Sequence, residues 1–434
     1  MNNILRDVAS FIRNKKQEFR PGVDVVQYAG PFFDENEYIA ATKALLNGWL
    51  VLGQCGQEFE EKFPRFLGKK YGVLTNSGSS SNLLMLSAAA SKRLHFLPKG
   101  SKILTPVAGF PTTINPIIQL GFTPVFVDIE LNTLNLDLNK VEEALKKNDI
   151  RAVTFAHVLG NPPNLNHLFE MLLKKDIIFL EDCCDALGST YNGIPLGSFG
   201  DFASCSFYPA HHITMGEGGF IACDNPIGDT VLRSLRDWGR GCYCSGKKAS
   251  QAKNGCCGKR FSDWLPELPG VVTDHKYVYD EIGYNLKPIE IQAAIGLEQI
   301  KKLDLIKTLR NRNFYLLRKI FEQYQEFLIL PKATENADPS WFAFALTVKD
   351  GAPFSKNQIV QFLEDHKIQT RPYFAGNILL QPAYSGIESD SFKKYPNASK
   401  VTTDTFFLGT SPVISIEQLS YVAIVVSDFM KQTL

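Results

Sequence analysis

Two adjacent histidines, His211 and His212, stand in the stretch SFYPAHHITMGEGGF, which reads as a strand end, a turn and a glycine-rich return into a second strand. Imidazole can give or take a proton near neutral pH, and it is also a common metal ligand. Ser206 opens the stretch with a hydroxyl at the end of the first strand. The turn is therefore a candidate site for proton transfer or for a metal ion.

Three further stretches place polar side chains where a strand ends or a helix begins. In TNSGSSSNLLM, the hydroxyls of Ser79 and Ser80 stand at a helix N-terminus, where backbone N–H groups favour a phosphate. In FLEDCCDALGS a strand delivers Asp182 to its carboxyl end, and in GYNLKPIEIQAAIG a helix entry carries Asn285. Taken singly, each stretch also fits an ordinary cap, turn or solvated surface.

The elements that must position these residues follow from the apolar pattern. Between about residues 70 and 225, short apolar runs alternate with helical patterns, which predicts an α/β fold with a mainly parallel sheet. Ligands of such sheets gather at the carboxyl ends of the strands. Over 237–284 the periodicity fails in a Gly-, Lys- and Cys-rich stretch. We expect an N-terminal helical arm over 1–30, a large domain over 31–300 and a smaller α+β domain over 301–434.

Composition restricts the partners and the compartment. The chain has 434 residues and a formal net charge of +1, so bulk charge favours neither nucleic acid nor a membrane surface. No apolar run has the length of a membrane span, and the N-terminus lacks the pattern of a signal peptide. Nine cysteines, an odd number, fit a reducing compartment better than a disulfide framework. We therefore expect a cytoplasmic protein with no nucleic-acid or membrane partner.

The order of these stretches is more specific than any one of them. A phosphate cup precedes Phe110 in VAGFPTT, and the strand-end Asp182, the histidine turn and GYN at Asn285 follow. This order resembles the DegT/DnrJ/EryC1/StrS family of sugar-nucleotide aminotransferases over roughly residues 30 to 430. The resemblance implies a fold-type I PLP-dependent transferase, similar to aspartate aminotransferase, with a mainly parallel seven-stranded sheet and a smaller C-terminal domain.

The resemblance also implies the roles of the cofactor-binding residues. Ser79, Ser80 and Ser206 would hold the phosphate of a vitamin B6 cofactor. Phe110 would stack on the pyridine ring, and Asp182 would pair with the ring nitrogen, keeping it protonated so that the ring can accept electrons.

Three more residues are expected to contact ligands. By resemblance, Asn285 would reach the phosphate of a neighbouring subunit, which implies a homodimer. Arg371 and Asn377, in TRPYFAGN, are candidate contacts of a sugar nucleotide, although a structural role explains them equally well.

The chain departs from the aminotransferase pattern at one position. Where that pattern reads S-F-x-x-x-K, this sequence reads SFYPAH, so His211 replaces the Schiff-base lysine. Imidazole cannot form the covalent imine with a pyridoxal aldehyde, but it can still move a proton. The resemblance then implies non-covalent pyridoxamine 5′-phosphate (PMP), with His211 as the base and loss of the C3 hydroxyl of a 4-keto sugar. His212 is the second choice of base, or a structural contact.

The cysteines distinguish two groups of relatives that share this histidine. The iron–sulfur 3-dehydrases of CDP-4-keto-6-deoxy-D-glucose carry C-x57-C-x-C and a further Cys, and here 57 residues separate Cys184 from Cys242 before Cys244. Cys257 precedes GKRF, although the loop is five residues longer than the pattern and Cys256 competes as the ligand. Four thiolates suit a two-iron two-sulfur (2Fe-2S) cluster within 237–284. A structural zinc or unrelated buried cysteines are the alternatives.

The resemblance to the iron–sulfur group implies a hydro-lyase, a C3 dehydratase of CDP-4-dehydro-6-deoxy-D-glucose in the synthesis of 3,6-dideoxyhexoses for lipopolysaccharide O-antigen. A partner reductase using NAD(P)H, flavin and iron–sulfur would deliver the electrons. The alternative is a 3-dehydratase of a GDP- or TDP-4-keto-6-deoxysugar that lacks the cluster and recovers its amine from glutamate. A third hypothesis is a sensor or scaffold that has lost catalysis, against which the retained phosphate cup and Asp182 speak.

Overall fold

The computed structural model of the protein describes residues 1–15, 18–94, 97–242, 260–387 and 391–433. The helices of these residues are α1 (Asn2–Arg13), α2 (Glu35–Leu46), α3 (Gln54–Lys62), α4 (Gly78–Ala89), α5 (Pro111–Gln119), α6 (Leu138–Lys147), α7 (Leu165–Leu173), α8 (Pro226–Arg236), α9 (Glu290–Gln299), α10 (Leu303–Phe321), α11 (Lys356–Asp365), α12 (Pro396–Asp404) and α13 (Ile416–Thr433). The strands are β1 (Tyr71–Thr75), β2 (Lys102–Pro106), β3 (Thr123–Val127), β4 (Ile150–Ala156), β5 (Ile178–Asp182), β6 (Thr190–Tyr191), β7 (Ile194–Pro195), β8 (Phe202–Ser206), β9 (Gly219–Cys223), β10 (Phe261–Asp263), β11 (Val272–Asp274), β12 (Leu328–Ile329), β13 (Ala337–Asp338), β14 (Ala343–Val348), β15 (Arg371–Pro372) and β16 (Thr405–Gly409).

A seven-stranded sheet with the order β1-β9-β8-β5-β4-β2-β3 forms the centre of the larger part of the molecule. The strands from β8 to β3 run parallel to one another, whereas β9 is antiparallel to both β8 and β1. Every residue of β8 and β9 is buried, as expected for apolar strands with helices on both faces. The predicted seven-stranded, mainly parallel sheet is confirmed.

Alternation along the strands divides the core of this sheet into two apolar layers. Val73 and Leu74 are neighbours in β1, yet they belong to different buried clusters, and Ile103 and Leu104 in β2 are divided in the same way. Successive side chains of a strand point to opposite faces, so the two clusters lie on opposite faces of the sheet.

A four-stranded antiparallel sheet, β12-β14-β16-β15, organises the C-terminal part. Phe314 and Leu317 of α10 pack with Phe344 of β14 and Val422 of α13 in one buried cluster. Val26, which follows the N-terminal helix, joins this cluster and forms an isolated parallel bridge to Ile368. Antiparallel strands combined with helices are what the sequence predicted for this region.

A further buried cluster joins the two sheets. It contains Val107 and Ala108, which follow β2, together with Tyr373 and Phe407 from the C-terminal part. Ala108 also forms an antiparallel bridge with Asn377. The loop at the carboxyl end of β2 is therefore held against the C-terminal part, and the space between them becomes a cavity.

The irregular stretch 237–284 contains regular structure that the sequence did not predict. Strands β10 and β11 pair as a hairpin, and Arg260 forms a salt bridge with Asp274 at 2.6 Å. Each strand has three residues, and all three of β10 are exposed, so the apolar alternation that signals a strand is missing.

The helices formed by the described residues differ in length and in apolar content. None of them is long and apolar enough to span a membrane.

Candidate active site

A cavity of about 1110 Å³ lies where β1, β2, β5 and β8 end. Eight of the predicted site residues line it: Arg371 from the C-terminal part, and seven from the region of the parallel sheet, namely Ser79, Ser80, Phe110, Asp182, Cys184, Ser206 and His211. The topology therefore brings together these seven side chains, which are up to 132 residues apart in the sequence, because parallel strands end at one edge of the sheet.

The phosphate cup is formed by the turn from β1 into α4. Ser77 is the N-cap of α4, and its hydroxyl accepts a hydrogen bond from the backbone N–H of Ser80 at 3.1 Å. A Cβ on Gly78 would lie 2.4 Å from the Cβ of Ser206, so only glycine allows β8 to approach the helix this closely. Hydroxyls from α4 and β8 thus converge beside free helical N–H groups, a donor set that suits a phosphate.

Asp182 is held at the end of β5 by three donors. Its Oδ2 accepts hydrogen bonds from Asn82 Nδ2 and Thr113 Oγ1, both at 2.7 Å, and its Oδ1 accepts one from the backbone N–H of Cys184 at 3.0 Å. The carboxylate is buried at the cavity wall, so its position is fixed before any ligand arrives. Such a carboxylate can pair with the protonated nitrogen of a heterocycle.

Phe110 offers an aromatic surface to the same cavity. It precedes α5 and keeps 49% of its surface exposed, although it lies beside the buried core of the loop after β2. Phe374 from the C-terminal part meets it edge to face, with ring centroids 5.9 Å apart. An exposed ring braced in this way suits stacking against a planar ligand.

His211 lies in the turn after β8, which a buried arginine holds in place. Arg310 of α10 donates hydrogen bonds to the carbonyl oxygens of Ala210 and His211, at 3.0 and 2.9 Å, and to that of Phe342 at 3.1 Å. The side chain of Arg310 is almost fully buried. One guanidinium therefore fixes the histidine turn relative to β14 in the C-terminal part.

The imidazole of His211 is neutral at pH 7. Burial lowers the pKa of His211 to about 4; the carboxylate of Asp182 acts in the opposite direction, and the Arg310 guanidinium lowers the pKa further. Nδ1 of His211 lies 3.5 Å from Oδ1 of Asp185, which is too long for a hydrogen bond in this geometry. A neutral, oriented imidazole can accept a proton from a ligand in the cavity.

Two other candidates, His212 and Asn377, have structural contacts instead. His212 does not line the cavity; its Nε2 lies 2.8 Å from the carbonyl oxygen of buried Ser340. Asn377 is fully buried, and its amide donates to Phe392 O and Ser399 Oγ, so the expected ligand contact is replaced by a structural role.

Asn285 and Arg371 differ in their relation to the cavity. Asn285 is exposed and forms an isolated bridge with Asp237, and it is not part of the cavity wall of its own chain. Its contact with a neighbouring subunit stays a prediction. Arg371 lies in the wall.

Sequence reasoning missed several residues of the site. Asp185 faces His211, and burial, reinforced by Asp182, raises the pKa of Asp185 to about 7. It stands in the quoted stretch FLEDCCDALGS, which could have indicated it. No local signal marked Asn82, Thr113 or Arg310, because their partners are distant in the sequence.

The structure describes two of the four predicted cluster ligands, Cys184 and Cys242. Cys184 lines the cavity, and Cys242 follows the segment in which Gly241 donates from its backbone N–H to Val278 O at 2.8 Å. Both cysteines are partly exposed free thiols. Cys244, Cys257 and the competing Cys256 lie outside the described residues.

A second group of side chains that could bind a metal ion lies in the buried core. Among the described residues, His157, Glu181 and Cys183 bring their ligand atoms within 4.8 Å of one another. Glu181, however, already accepts hydrogen bonds from the backbone N–H groups of Gly197 and Gly200 and contacts His157 Nε2 at 2.8 Å. These contacts explain the buried carboxylate without a metal ion.

Known proteins similar to this chain have names from sugar metabolism. It is 39% identical over 439 residues to the lipopolysaccharide biosynthesis protein RfbH of Salmonella typhimurium, covering 99% of this chain and 98% of that protein. It is 38% identical to a dTDP-4-dehydro-2,6-dideoxy-D-glucose 3-dehydratase of Saccharopolyspora spinosa, covering 100% of this chain and 92% of that protein.

Solved structures and the family comparison agree with the fold. An Escherichia coli GDP-4-keto-6-deoxy-D-mannose-3-dehydratase with bound hydrated PLP superimposes with a TM-score of 0.79 at 29% identity, covering 93% of this chain and 99% of that chain. The predicted fold-type I architecture is thereby confirmed. Residues 31–427 match the DegT/DnrJ/EryC1/StrS aminotransferase family, and the chain belongs to this family.

Proposed function

We propose that this protein is a cytoplasmic, PMP-dependent sugar-nucleotide 3-dehydratase, a hydro-lyase that acts on CDP-4-dehydro-6-deoxy-D-glucose in the synthesis of 3,6-dideoxyhexoses. The observation that carries the proposal is His211, a partly buried, neutral imidazole that lines the cavity where the family's aminotransferase pattern has a lysine. The names of the relatives support the reaction, since they include 3-dehydratases and a lipopolysaccharide biosynthesis protein.

The residues of the cavity fit PMP. Ser79, Ser80 and Ser206 would hold the phosphate, because the close approach at Gly78 gathers their hydroxyls at the N-terminus of α4. Asp182 would accept the proton of the ring nitrogen, and Phe110 would cover one face of the ring. When bound, PMP supplies an amine that condenses with a keto sugar and a ring that stores an electron pair.

His211 moves the proton in this proposal. Its Nδ1 faces Asp185, so Nε2 is the ring nitrogen left to take a proton from the ligand. Because imidazole forms no covalent bond to the cofactor, the residue keeps its basicity throughout the reaction. Arg310 holds the turn, which keeps the imidazole at the cavity wall.

We propose further that Cys184, Cys242, Cys244 and Cys257 hold a 2Fe-2S cluster. The support is their spacing in the sequence and the place of Cys184 at the cavity wall, two residues after Asp182. Such a cluster transfers single electrons, so a partner reductase that uses NAD(P)H and flavin would supply the two electrons that C3 deoxygenation requires. Asn285 would complete the phosphate site of a second subunit in a homodimer.

A second candidate function keeps the cavity but not the cluster. In it, the substrate is a GDP- or TDP-4-keto-6-deoxysugar, and glutamate restores the amine of PMP. The similarity to the dTDP- and GDP-sugar 3-dehydratases favours this candidate.

One anaerobic preparation tests the two candidates against each other. We expect visible cluster absorbance, with two iron and two sulfide ions per chain, and PMP-dependent loss of the C3 hydroxyl from the CDP-sugar without added glutamate. Protein without iron and sulfide that needs glutamate for turnover would support the second candidate instead. Protein that binds no PMP would contradict both.

A further inference from the structure

We propose that Arg371 is the oxyanion anchor of the active-site cavity, where it binds the diphosphate of the sugar nucleotide. This inference rests on the proposed function, because that function supplies the nucleoside diphosphate. Arg371 is the one arginine or lysine in the cavity wall formed by the described residues. The carboxylates that share the wall are Asp182, Asp185 and Glu217, and its imidazole is that of His211.

The guanidinium of Arg371 has no carboxylate partner in the described parts of the chain. Its only hydrogen bond there runs from Nη1 to the carbonyl oxygen of Thr370, at 2.6 Å. By contrast, Arg233 and Arg236 pair with Glu60, and Lys302 pairs with Glu37. A half-buried arginine with unused donors beside a cavity is therefore available to a ligand anion.

An aromatic platform fixes the orientation of this guanidinium. The carbon centre of the Arg371 guanidinium lies 4.2 Å from the ring centroid of Tyr28. The backbone of Tyr28 is itself locked, since a Cβ on Gly409 would lie 1.7 Å from the Tyr28 carbonyl oxygen. The stacked guanidinium presents its edge, which carries the N–H groups, and two parallel N–H donors match the oxygens of a diphosphate or carboxylate.

The cavity has room for this ligand beside the cofactor. Its volume of about 1110 Å³ exceeds the upper end of the usual range for one small molecule, about 1,000 Å³. The phosphate cup at Ser79 and Ser80 is formed by α4 and β8, whereas Arg371 belongs to β15 of the other sheet. The two anion sites are thus contributed by different parts of the molecule, one for the cofactor and one for the substrate.

Calorimetric titration of the PMP-loaded protein with CDP, dTDP and GDP tests this inference. We expect Arg371→Gln to weaken nucleotide binding by about 10- to 100-fold, the range of a charge-assisted hydrogen-bonded pair. Arg371→Lys should lie between Gln and the wild type, because it keeps the charge but loses the paired donors. Arg151→Gln, which removes an exposed arginine paired with Asp149, is the charge-matched control and should change nothing.

Two further measurements distinguish a loss of the guanidinium's orientation from a general loss of folded structure. Tyr28→Leu should weaken nucleotide binding and Tyr28→Phe should not, since only the first removes the platform. The affinity for PMP should stay unchanged in every variant. A parallel titration with glutamate distinguishes a diphosphate from a carboxylate as the oxyanion that Arg371 binds. If Arg371→Gln loses glutamate binding and keeps nucleotide binding, Arg371 is still an oxyanion anchor, but for the carboxylate of an amino donor.

Two other outcomes of these titrations would overturn the inference. If the wild type binds a nucleotide and Arg371→Gln binds both the nucleotide and glutamate as well as the wild type does, the anchor is overturned and the proposed function stands. If the wild type binds neither a nucleoside diphosphate nor glutamate, both the anchor and the proposed function fail.

Discussion

At the scale of single residues, His211 determines which chemistry the cavity can perform. It stands where a lysine would capture the cofactor covalently, and its burial keeps the imidazole neutral. Arg310 holds the backbone of its turn, and Asp185 Oδ1 lies 3.5 Å from its Nδ1. In the proposed function, an imidazole in the place of that lysine changes the reaction without changing the fold.

We predict that His211→Asn lowers the rate of C3 hydroxyl loss by about 10²- to 10⁴-fold, the usual contribution of a general base. PMP binding should persist, because the proposed phosphate, ring and nitrogen contacts come from other residues. Mass spectrometry of the sugar nucleotide measures the first effect, and absorbance of the bound cofactor measures the second.

The exposed His167 provides the matched control, since His167→Asn removes an imidazole far from any contact with the cavity. Near-normal turnover in His211→Asn, with His212 intact, would refute the assignment of the base.

Residue types alone predicted part of this site. Ser79, Ser80, Asp182 and Ser206 follow strand ends or start a helix, so a local pattern was enough to indicate them. Asn82, Thr113 and Arg310 act on partners that are 32 to 100 residues away. Only the packed structure brings such pairs together.

At the scale of elements, the site depends on how closely β8 approaches α4. The missing Cβ of Gly78 leaves the space that Ser206 fills. This contact joins two elements that each contribute hydroxyls to the proposed phosphate cup.

We predict that Gly78→Ala weakens PMP binding by about 10-fold or more, because overpacking of this kind costs about 1–3 kcal/mol. Equilibrium titration of the apoprotein followed by cofactor absorbance measures it. Gly30→Ala is the control, since its Cβ would meet neighbours at ordinary distances of 3.4 Å or more. Unchanged PMP affinity in Gly78→Ala would show that the close approach does not shape the cup.

A buried ion-pair network fixes β1, which leads into that cup. Glu60 of α3 contacts Arg233 and Arg236 of α8, each at 2.6 Å, and accepts the backbone N–H of Leu74 in β1 at 3.0 Å. Burial alone would raise the pKa of Glu60, but the two guanidinium groups outweigh it, and the pKa lies below its ordinary value.

The lowered pKa of Glu60 determines how the stability of the fold depends on pH. Because the folded-state pKa of Glu60 is depressed, its stabilisation is complete above the unfolded pKa of about 4.3 and is lost as the pH falls through the folded-state pKa. We predict that Glu60→Gln lowers the free energy of unfolding at pH 7 by about 3 kcal/mol, the lower end of the range for a broken buried ion pair. Two buried guanidinium groups lose the carboxylate they share, whereas Arg233 keeps its contact with Asp229 and Arg236 keeps its contact with Asp237.

Denaturant unfolding at pH 7 and below pH 4 measures this difference, which should shrink in acid as the wild type becomes protonated. Glu58→Gln on the same helix is the control, because Glu58 forms only an exposed pair with Lys62. A difference that stays constant over this pH range would contradict the role assigned to Glu60.

At the scale of the whole molecule, the cavity lies between two sheets of different character. The parallel sheet contributes the proposed cofactor contacts from its strand ends, and the antiparallel sheet contributes Arg371 and Phe374. The alternation of apolar runs predicted the first sheet well, since each strand has five to seven residues and all except β3 are mostly buried. The second sheet and the β10–β11 hairpin include strands of two or three residues, which leave almost no periodic signal.

The central claim is that the bound sugar loses its C3 hydroxyl, and oxygen exchange at C3 tests it most directly. The PMP-loaded protein is incubated in H₂¹⁸O with CDP-4-dehydro-6-deoxy-D-glucose and no reductant, so that loss of the hydroxyl can reverse but the product cannot form. The isotope shift of the C3 carbon resonance locates the label, and spontaneous exchange at the C4 ketone serves as the internal control. The account predicts ¹⁸O at C3 with the wild type and none with His211→Asn. Label confined to C4 with the wild type, for the CDP-, dTDP- and GDP-sugars alike, would contradict it.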